Sequence, residues 1–538
     1  MKKIASLLII FISFPTLSAQ QIFTRKDSLQ GGLRPERTCF DIQRYDLNIK
    51  IDIDKKSIVG FNAITFNVIA TTSKIQIDLF ENMQVDSIVY NAKKLDYKRE
   101  FHAVFISFPT DLIKGNSEKI SFYYSGNPII AKRSPWDNGI VFSKDNQGKP
   151  WVGMTSQGTG ASLWWPCKDS QSDEPDNGMS IKVAVPDGLI NVSNGKFIGS
   201  KDLKNGYTRW DWEVVNPINT YAVTINIADY AHIHDDLNGL SIDYYVLKEN
   251  EEKAKVHFEE VKPMLICYQN KFGKFPFWED GFKFVETYYL GMEHQSAISY
   301  GNKYKKGYLG DDLSGTGIGL LFDYITIHES AHEWFGNSIT SKDIADMWMH
   351  EGFAQYTESV FIECQYGTEK AKKYLFGLQD RIGNNEPIIG QYGLNSQGSG
   401  DMYSKGALLL NTIRNVINND NLWWKILLNY SETFRNKIID TETLISFFNQ
   451  ESKRNLTPIF NQYLRYAAIP VLELKRNAKI LEYRWKTDVT DFNMPVDIKV
   501  NGKKIRIQPT NKWKKSNIKI SKNTSIEAVL DEFYIIVK

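Results

Sequence analysis

The chain has 538 residues, which is more than one ordinary domain holds, so we expect about two to four domains. Hydrophobic residues make up 42% of the chain and aromatic residues 13%, which is enough for large buried cores. With 65 basic and 63 acidic side chains the net charge is +2, so the chain lacks the basic excess that a nucleic-acid or anionic-membrane partner would require.

Residues 1–19 have the order of a secretory signal peptide. Two lysines precede an apolar run at 5–17, and small residues end the segment. This run is too short to span a bilayer comfortably, and no later stretch reaches the length of a membrane helix. A buried N-terminal strand is the alternative, which the paired lysines disfavour. We therefore expect the mature protein to begin near Gln20 and to be secreted or periplasmic.

Residues 20–232 show the two-residue hydrophobic period of β-strands. Apolar and polar side chains alternate over 45–53 and again over 58–68, on either side of a turn at 54–56. Similar short runs, separated by Asn, Gly and Asp, follow with few helical stretches. The pattern predicts an N-terminal antiparallel β domain over this part of the chain.

From about residue 240 the hydrophobic period becomes helical. The pattern predicts a helix at 250–272, which Pro263 should kink or break. A strand is expected at Phe282–Thr287, and a long helix at 320–336. Helical patterns dominate the rest of the middle of the chain.

Strands return after Pro470. Alternating apolar residues flank the pair Asn501 and Gly502, a strong signal for a tight turn between two strands. We therefore predict a mostly α-helical domain over 233–469 and a small C-terminal β domain over 470–538. The expected fold class is multidomain α+β.

The four cysteines lie far apart in the sequence, so they form no cysteine-based metal motif. They are Cys39, Cys167, Cys267 and Cys364. An oxidising compartment permits disulfides, but the sequence leaves their pairing open.

The candidate metal site begins with the pentapeptide HESAH at 328–332, which uses two of only eight histidines. Residues four apart on a helix share one face, so His328 and His332 can present two imidazoles to one cation. Glu329 lies at the edge of that face, where its carboxylate can take a proton from an attacking water molecule. The pattern is the HExxH signature of zinc hydrolases, although it also arises by chance.

Two histidines leave a catalytic zinc site one protein ligand short. The segment WMHEGFAQYTE at 348–358 offers Glu351, at a spacing that fits a second helix packing back against the first. Glu358 lies two turns further along the same face, where it would orient a histidine or be an ordinary surface charge. His350 points to a different face of this helix, so we do not assign it as a ligand.

The segments HESAHEWFGNSIT and WMHEGFAQY together resemble the aminopeptidase N family of zinc metallopeptidases, which also includes a leukotriene epoxide hydrolase. The predicted domain order is similar to that family's β-saddle, thermolysin-like catalytic domain and small β-sandwich. The resemblance implies one Zn²⁺ per chain, held by His328, His332 and Glu351, with Glu329 as the general base.

The segment GMEHQ at 291–295 is similar to the family's exopeptidase motif. The resemblance implies that Glu293 binds the free α-ammonium group of a peptide and that the backbone of Gly291 and Met292 lines the peptide. The family usually has Asn where this chain has His294, so we expect the contacts to the peptide backbone to differ.

Two further segments complete the resemblance. MYSKGALLL at 402–410 implies that Tyr403 donates its phenolic proton to the oxyanion. SQGTGASLWWPCKD at 156–169 implies that Gln157 helps to hold the N-terminus of the substrate. The family commonly has Glu or Gln where this chain has Thr159, which removes one acceptor for the ammonium group.

We therefore predict a zinc-dependent aminopeptidase that hydrolyses the N-terminal residue from peptides. Two alternatives stay open: another zinc hydrolase, such as an endopeptidase or an epoxide hydrolase, and a non-catalytic relative that binds peptides. Many members of the family continue into a large helical domain, whereas residues 471–538 follow Pro470 here. We accordingly expect a more open cleft that admits longer peptides.

Overall fold

A computed structural model of the protein describes residues 22–477, 479–521 and 523–538. The predicted signal peptide, 1–19, lies outside the described residues. Within the described ranges, no helix combines the length and the apolar character that crossing a membrane would need.

The first part of the described chain is built almost entirely of strands, after two short helices, α1 (Arg25–Gly31) and α2 (Pro35–Thr38). The strands are β1 (Phe40–Asp52), β2 (Ser57–Val68), β3 (Thr72–Asp78), β4 (Met83–Tyr90), β5 (Lys93–Lys94), β6 (Asp96–Glu100), β7 (Ala103–Leu112), β8 (Ser117–Gly126), β9 (Gly139–Lys144), β10 (Pro150–Thr155), β11 (Met179–Pro186), β12 (Ile190–Ser193), β13 (Lys196–Asp202), β14 (Tyr207–Val214) and β15 (Ile225–Ala228).

These strands form three sheets, and the predicted alternation is confirmed in the longest of them. That eight-stranded sheet has the order β13-β14-β11-β1-β2-β8-β4-β5, beside a four-stranded sheet, β12-β15-β10-β9, and a three-stranded one, β3-β7-β6. The inward side chains of β1, among them Leu47 and Ile51, are fully buried. The turn between β1 and β2 includes Lys56 at a positive φ of 52°.

The predicted antiparallel β domain contains one parallel strand pair. β1 and β11 run parallel, with Tyr45 opposite Met179, whereas the other described pairs of these three sheets are antiparallel. Parallel neighbours cannot be joined by a hairpin, and here more than a hundred residues of other strands separate the two. No local pattern in the sequence signals such a pairing.

The next sheet is mixed and carries part of the candidate site. Its order is β16-β17-β18-β20-β19, formed by β16 (Tyr230–Leu237), β17 (Leu240–Leu247), β18 (Phe282–Glu286), β19 (Gly291–Met292) and β20 (Ile298–Tyr300). The predicted boundary between residues 232 and 233 falls inside β16. Because β19 stands at the edge of the sheet, its outer side faces the cleft described below.

The middle of the chain is helical, as predicted. The helices are α3 (Glu251–His257), α4 (Val261–Phe272), α5 (Tyr324–Ala331), α6 (Trp348–Tyr366), α7 (Thr368–Leu378), α8 (Met402–Ile417), α9 (Asp420–Thr433), α10 (Thr441–Ser452) and α11 (Thr457–Arg465), with a two-stranded parallel pair of β21 (Ile339–Ser341) and β22 (Lys437–Ile439). The predicted helix at 250–272 is interrupted at Phe258–Glu260 by a 3₁₀ turn. Pro263 therefore lies in the first turn of α4, where its missing N–H removes no helical hydrogen bond.

The helix that carries the two histidines is shorter than predicted. It spans α5 alone rather than 320–336, because Asp323 caps its start and accepts a hydrogen bond from the Thr326 backbone at 3.0 Å. At the other end the chain leaves the helix after Ala331 and turns at Gly336, whose φ is 135°. His328 therefore lies within the helix and His332 lies at its C-cap.

The strands of the C-terminal part form a four-stranded sheet, β27-β24-β23-β29, and a three-stranded sheet, β26-β25-β28. They are β23 (Val471–Asn477), β24 (Ile480–Lys486), β25 (Val496–Val500), β26 (Lys503–Ile507), β27 (Lys514–Lys519), β28 (Ile526–Ala528) and β29 (Ile536–Val537). The predicted tight turn is confirmed, with positive φ values of 48° at Asn501 and 79° at Gly502.

The buried apolar residues separate into two main cores. One lies mainly within the first three sheets and also includes residues of the mixed sheet, such as Tyr245 and Val285. The other extends from Leu237 to Ile535, so the C-terminal strands pack on the helices of the middle part. A disulfide joins Cys267 of α4 to Cys364 of α6 across 97 residues of sequence. It ties the helix that carries Glu351 to the helix bundle behind it.

Candidate metal centre and cleft

The three predicted metal ligands come together in the structure. The Nε2 atoms of His328 and His332 lie 3.5 and 3.4 Å from Oε2 of Glu351. Four ligands placed tetrahedrally at zinc bond lengths of about 2.0–2.1 Å are about 3.3–3.4 Å apart. The separations therefore fit a single zinc ion, and the donor set of two imidazoles and one carboxylate is that of a catalytic zinc site.

The Nδ1 atom of each imidazole has a hydrogen-bond partner, which orients Nε2 toward the point between the three ligands. Nδ1 of His328 lies 2.7 Å from Oε1 of Glu358, and Nδ1 of His332 lies 3.0 Å from the carbonyl oxygen of Phe335. Both acceptors select the tautomer that leaves Nε2 free to bind a metal. Glu358, which the sequence left undecided between an orienting role and a surface charge, is fully buried.

Glu351 is held as an anion. Burial alone would raise the pKa of the Glu351 carboxyl, but the nearby imidazoles of His332 and His328 outweigh that effect and lower the pKa well below its usual range. Glu351 therefore brings a carboxylate charge to the ligand set.

Glu329 projects beside the ligands, as a general base must. Its carboxylate packs against Gly291, because a Cβ added to that glycine would lie 2.9 Å from Oε1 of Glu329 and 2.8 Å from Ile325. Burial raises the pKa of Glu329 to about 7, close to the value that suits a base at neutral pH. Gly291 is thus needed for the close approach of β19 to α5.

Glu293 completes the acidic end of the site. One carboxylate oxygen of Glu293 accepts a hydrogen bond from Nε2 of Gln157 at 2.5 Å, and the same nitrogen donates to Oε1 of Glu351 at 2.9 Å. Burial raises the pKa of Glu293, and the buried amide of Asn337 holds its backbone carbonyl at 2.9 Å. Gln157 therefore joins the predicted ammonium anchor to a predicted metal ligand.

Tyr403 stands in the first turn of α8 with its ring 5.9 Å from that of His328. Burial and the carboxylate of Glu351 raise its pKa well above the usual value, so the phenol keeps the proton that it would donate. The position depends on two glycines where α6 and α8 cross: a Cβ on Gly406 would lie 2.8 Å from the Cα of Gly352. No motif in the sequence marks this pair of glycines.

The two departures from the family motif have different consequences. Thr159 lines the cleft, where its hydroxyl accepts a hydrogen bond from Asn138 at 2.8 Å. His294 is fully buried and does not line the cleft; its Nδ1 lies 3.0 Å from the hydroxyl of Ser299, and burial lowers its pKa to about 3. The residue next to Glu293 is therefore a neutral part of the core.

All nine predicted site residues border one cavity of about 830 Å³. They are Gln157, Gly291, Met292, Glu293, His328, Glu329, His332, Glu351 and Tyr403. The cavity also has a wall from the first β part, at Pro135 and Trp136, and a wall from the loop before α8, at Asn395. Residues so far apart in the chain share no local pattern, so the sequence does not predict these walls.

Two family models match the chain. The model described as "Peptidase M1 N-terminal domain" matches residues 42–222, and the one described as "Peptidase family M1 domain" matches residues 257–463. The two matched segments together cover most of the chain, from the first β part through the helices that carry the cleft.

Curated relatives and a solved structure are similar to the chain over large parts of its length. The chain is 23% identical to mouse endoplasmic reticulum aminopeptidase 1 over 49% of this chain and 29% of that protein. It is 20% identical to human glutamyl aminopeptidase over 82% and 48%, so the chain spans less than half the length of both. A crystal structure of an M1 zinc metallopeptidase mutant from Deinococcus radiodurans, bound to a Tyr-Ser-Ala substrate, shares the fold, with a TM-score of 0.69, 19% identity and coverage of 82% of this chain and 98% of that one.

Proposed function

The chain belongs to peptidase family M1, a family of zinc metallopeptidases, and from this premise we propose that it is an exported aminopeptidase that removes the first residue of peptides. The position of Glu293 is the observation on which the proposal depends. A carboxylate oxygen of Glu293 lies within 4.8 Å of a carboxylate oxygen of Glu329 and of a ring nitrogen of His332. A peptide whose α-ammonium group binds there would hold its first carbonyl at the metal ligands, about one residue's length away.

The cleft supports the binding of an extended peptide. β19 is an edge strand, so Gly291 and Met292 can align the backbone of a peptide that lies along the sheet. Glu293 supplies the counter-charge for the ammonium group, and Gln157 helps to hold the N-terminus by donating a hydrogen bond that positions this carboxylate. The free N-terminus of the peptide then determines which peptide bond lies at the metal ligands.

His328, His332 and Glu351 would hold a Zn²⁺ ion, which would supply the Lewis acidity that polarises the carbonyl and lowers the pKa of water toward neutral pH. Glu329 accepts the proton of the attacking water and returns it to the leaving amine. Burial raises the pKa of this carboxyl, which favours its holding the proton between the two transfers.

Tyr403 acts on the opposite side of the carbonyl. Its phenol stays protonated, so it donates a hydrogen bond to the oxygen that gains negative charge when water adds. The crossing of α6 and α8 at Gly352 and Gly406 fixes the distance between this donor and Glu351.

Two features support export. The N-terminal nineteen residues have the order of a signal peptide, and the disulfide between Cys267 and Cys364 is of a kind that persists in oxidising compartments. The periplasm or the outside of the cell is therefore the proposed location.

A panel of fluorogenic aminoacyl amides tests the proposal, assayed with and without a chelator. The wild type should release the fluorophore, and the chelator should stop the reaction until zinc is restored. Glu329→Gln should lower kcat by about 10²- to 10⁴-fold while zinc content stays at one ion per chain. Activity that persists in this variant, or that ignores the chelator, would reject the mechanism.

A further inference from the structure

Trp136 is the most exposed aromatic side chain of the described residues, at 69%. A single exposed apolar side chain is common on a protein surface, so the position of Trp136 matters more than its exposure. Trp136 also lines the cleft, together with Pro135, and it reaches the cleft from the first β part rather than from the helices that carry the metal ligands. An exposed indole at this place is available to a bound peptide.

The loop that presents Trp136 is held firmly. The carboxylate of Asp137 accepts hydrogen bonds from the backbone of Lys132 and Arg133 at 2.7 and 2.6 Å. The backbone N–H of Trp136 donates to the carbonyl of Arg133 at 3.0 Å. The indole therefore projects from a closed turn, so a ligand that stacks on it need not order the loop first.

The same loop is joined to the segment that binds the substrate's N-terminus. The side-chain amide of Asn138 donates to the carbonyl of Gln157 at 2.5 Å and to the hydroxyl of Thr159 at 2.8 Å. Gln157 in turn bonds to Glu293. These contacts place Trp136 on the side of the cleft where the first residue of a peptide would lie.

We propose that Trp136 is a specificity-determining residue that contacts the side chain of the substrate's first residue, so that the enzyme prefers large apolar or aromatic N-terminal residues. The inference rests on the proposed function and adds the class of substrate. An apolar side chain that packs on the indole removes apolar area of both partners from water. An aromatic side chain adds a stacking contact.

The carboxylates around the cleft oppose an acidic first side chain. Glu293 and Glu351 are bonded to Gln157, and both carboxylate oxygens of Asp401 accept backbone hydrogen bonds at 2.9 and 2.7 Å. An acidic side chain would meet the electron-rich face of the indole, which disfavours anions.

Steady-state kinetics on phenylalanyl, leucyl, alanyl, glutamyl and arginyl amides test the proposal, with Trp136→Ala and Trp136→Phe beside the wild type. The wild type should prefer phenylalanine and leucine. Trp136→Ala should lower kcat/KM for the phenylalanyl amide about tenfold or more, mainly through KM, and change the alanyl amide less than about twofold. Trp136→Phe should keep most of the preference.

Trp513→Ala is the matched control, because this tryptophan is 43% exposed in the C-terminal part and should leave the preference unchanged. Equal losses for the phenylalanyl and alanyl amides in Trp136→Ala, or a wild-type preference for glutamyl or arginyl amides, would overturn the inference. Thermal melting of each variant reports whether it is folded.

A binding measurement separates this inference from the proposed function. If the wild type cleaves none of the amides, the proposed function fails. Calorimetric titration with phenylalanine amide and alanine amide, on the zinc-loaded wild type and on Trp136→Ala, then decides the inference. Tighter binding of phenylalanine amide that is lost in the variant supports it, and equal binding of both amides rejects it.

Discussion

Nδ1 of His328 lies 2.7 Å from Oε1 of Glu358, a carboxylate with no exposed surface. The other oxygen of Glu358 accepts hydrogen bonds from the side chains of Gln355 and Tyr374. A metal-binding imidazole is thus fixed by a carboxylate that is itself fixed by two donors. Such outer contacts set the orientation and basicity of the ligand.

Replacement of Glu358 should therefore weaken zinc binding without removing a ligand. Glu358→Gln is expected to lower zinc affinity about 10- to 100-fold, because the amide is a poorer acceptor for the His328 N–H. Competition with a chelator of known affinity measures the change. Glu369→Gln, at an exposed position of α7, is the control, and equal affinities for the two variants would contradict the role of Glu358.

Loss of the Glu293 charge should impair recognition of the N-terminus. A charge-assisted hydrogen bond contributes about 1.5–3 kcal/mol, so Glu293→Gln is expected to lower kcat/KM on aminoacyl amides about 10- to 100-fold. Zinc content should not change, since Glu293 is not among the three predicted ligands. A variant that lost its zinc would show instead that Glu293 supports the metal site.

The close contact between Gly352 and Gly406 predicts that a larger residue at either position lowers activity, although no charge is changed. A methyl group at residue 406 would lie 2.8 Å from the Cα of Gly352, so α6 and α8 must move apart in Gly406→Ala. A shift of about 1 Å at a reacting group can cost about 100-fold in rate, and Tyr403 lies on the displaced helix. We expect kcat to fall at least about tenfold while zinc stays bound. Unchanged kcat would show that the crossing does not position Tyr403.

The disulfide between Cys267 and Cys364 should stabilise the helical part. Its removal is expected to lower the free energy of unfolding by about 2–5 kcal/mol, because the bond closes a loop of 97 residues in the unfolded chain. Denaturant unfolding of the double Ser variant measures this loss. A reducing agent should destabilise the wild type and leave the variant unaffected; the same response in both would mean that the bond does not form.

Local sequence patterns predicted the elements that are determined by interactions between residues close in sequence. The alternation in β1 and β2, the turn at Asn501 and Gly502 and the spacing of His328 and His332 each report on neighbours within a few residues. The same patterns misjudged the ends of α5, where a single cap at Asp323 outweighs a longer apolar period.

Relations between distant residues were beyond such patterns. The parallel pairing of Tyr45 with Met179, and the hydrogen bonds that join Asn138 to Gln157 and Thr159, depend on tertiary packing. The site residues themselves were found because family motifs mark them. The residues that position them, such as Gly406, belong to no recognisable motif in the sequence.

The most direct test of the account compares one decapeptide in two forms, with a free and with an acetylated N-terminus, and identifies the products by mass spectrometry. Stepwise release of residues from the free form and no cleavage of the acetylated form are the predicted results, since Glu293 must meet an ammonium group. Cleavage inside the acetylated peptide would contradict it and would show that the cleft serves an endopeptidase.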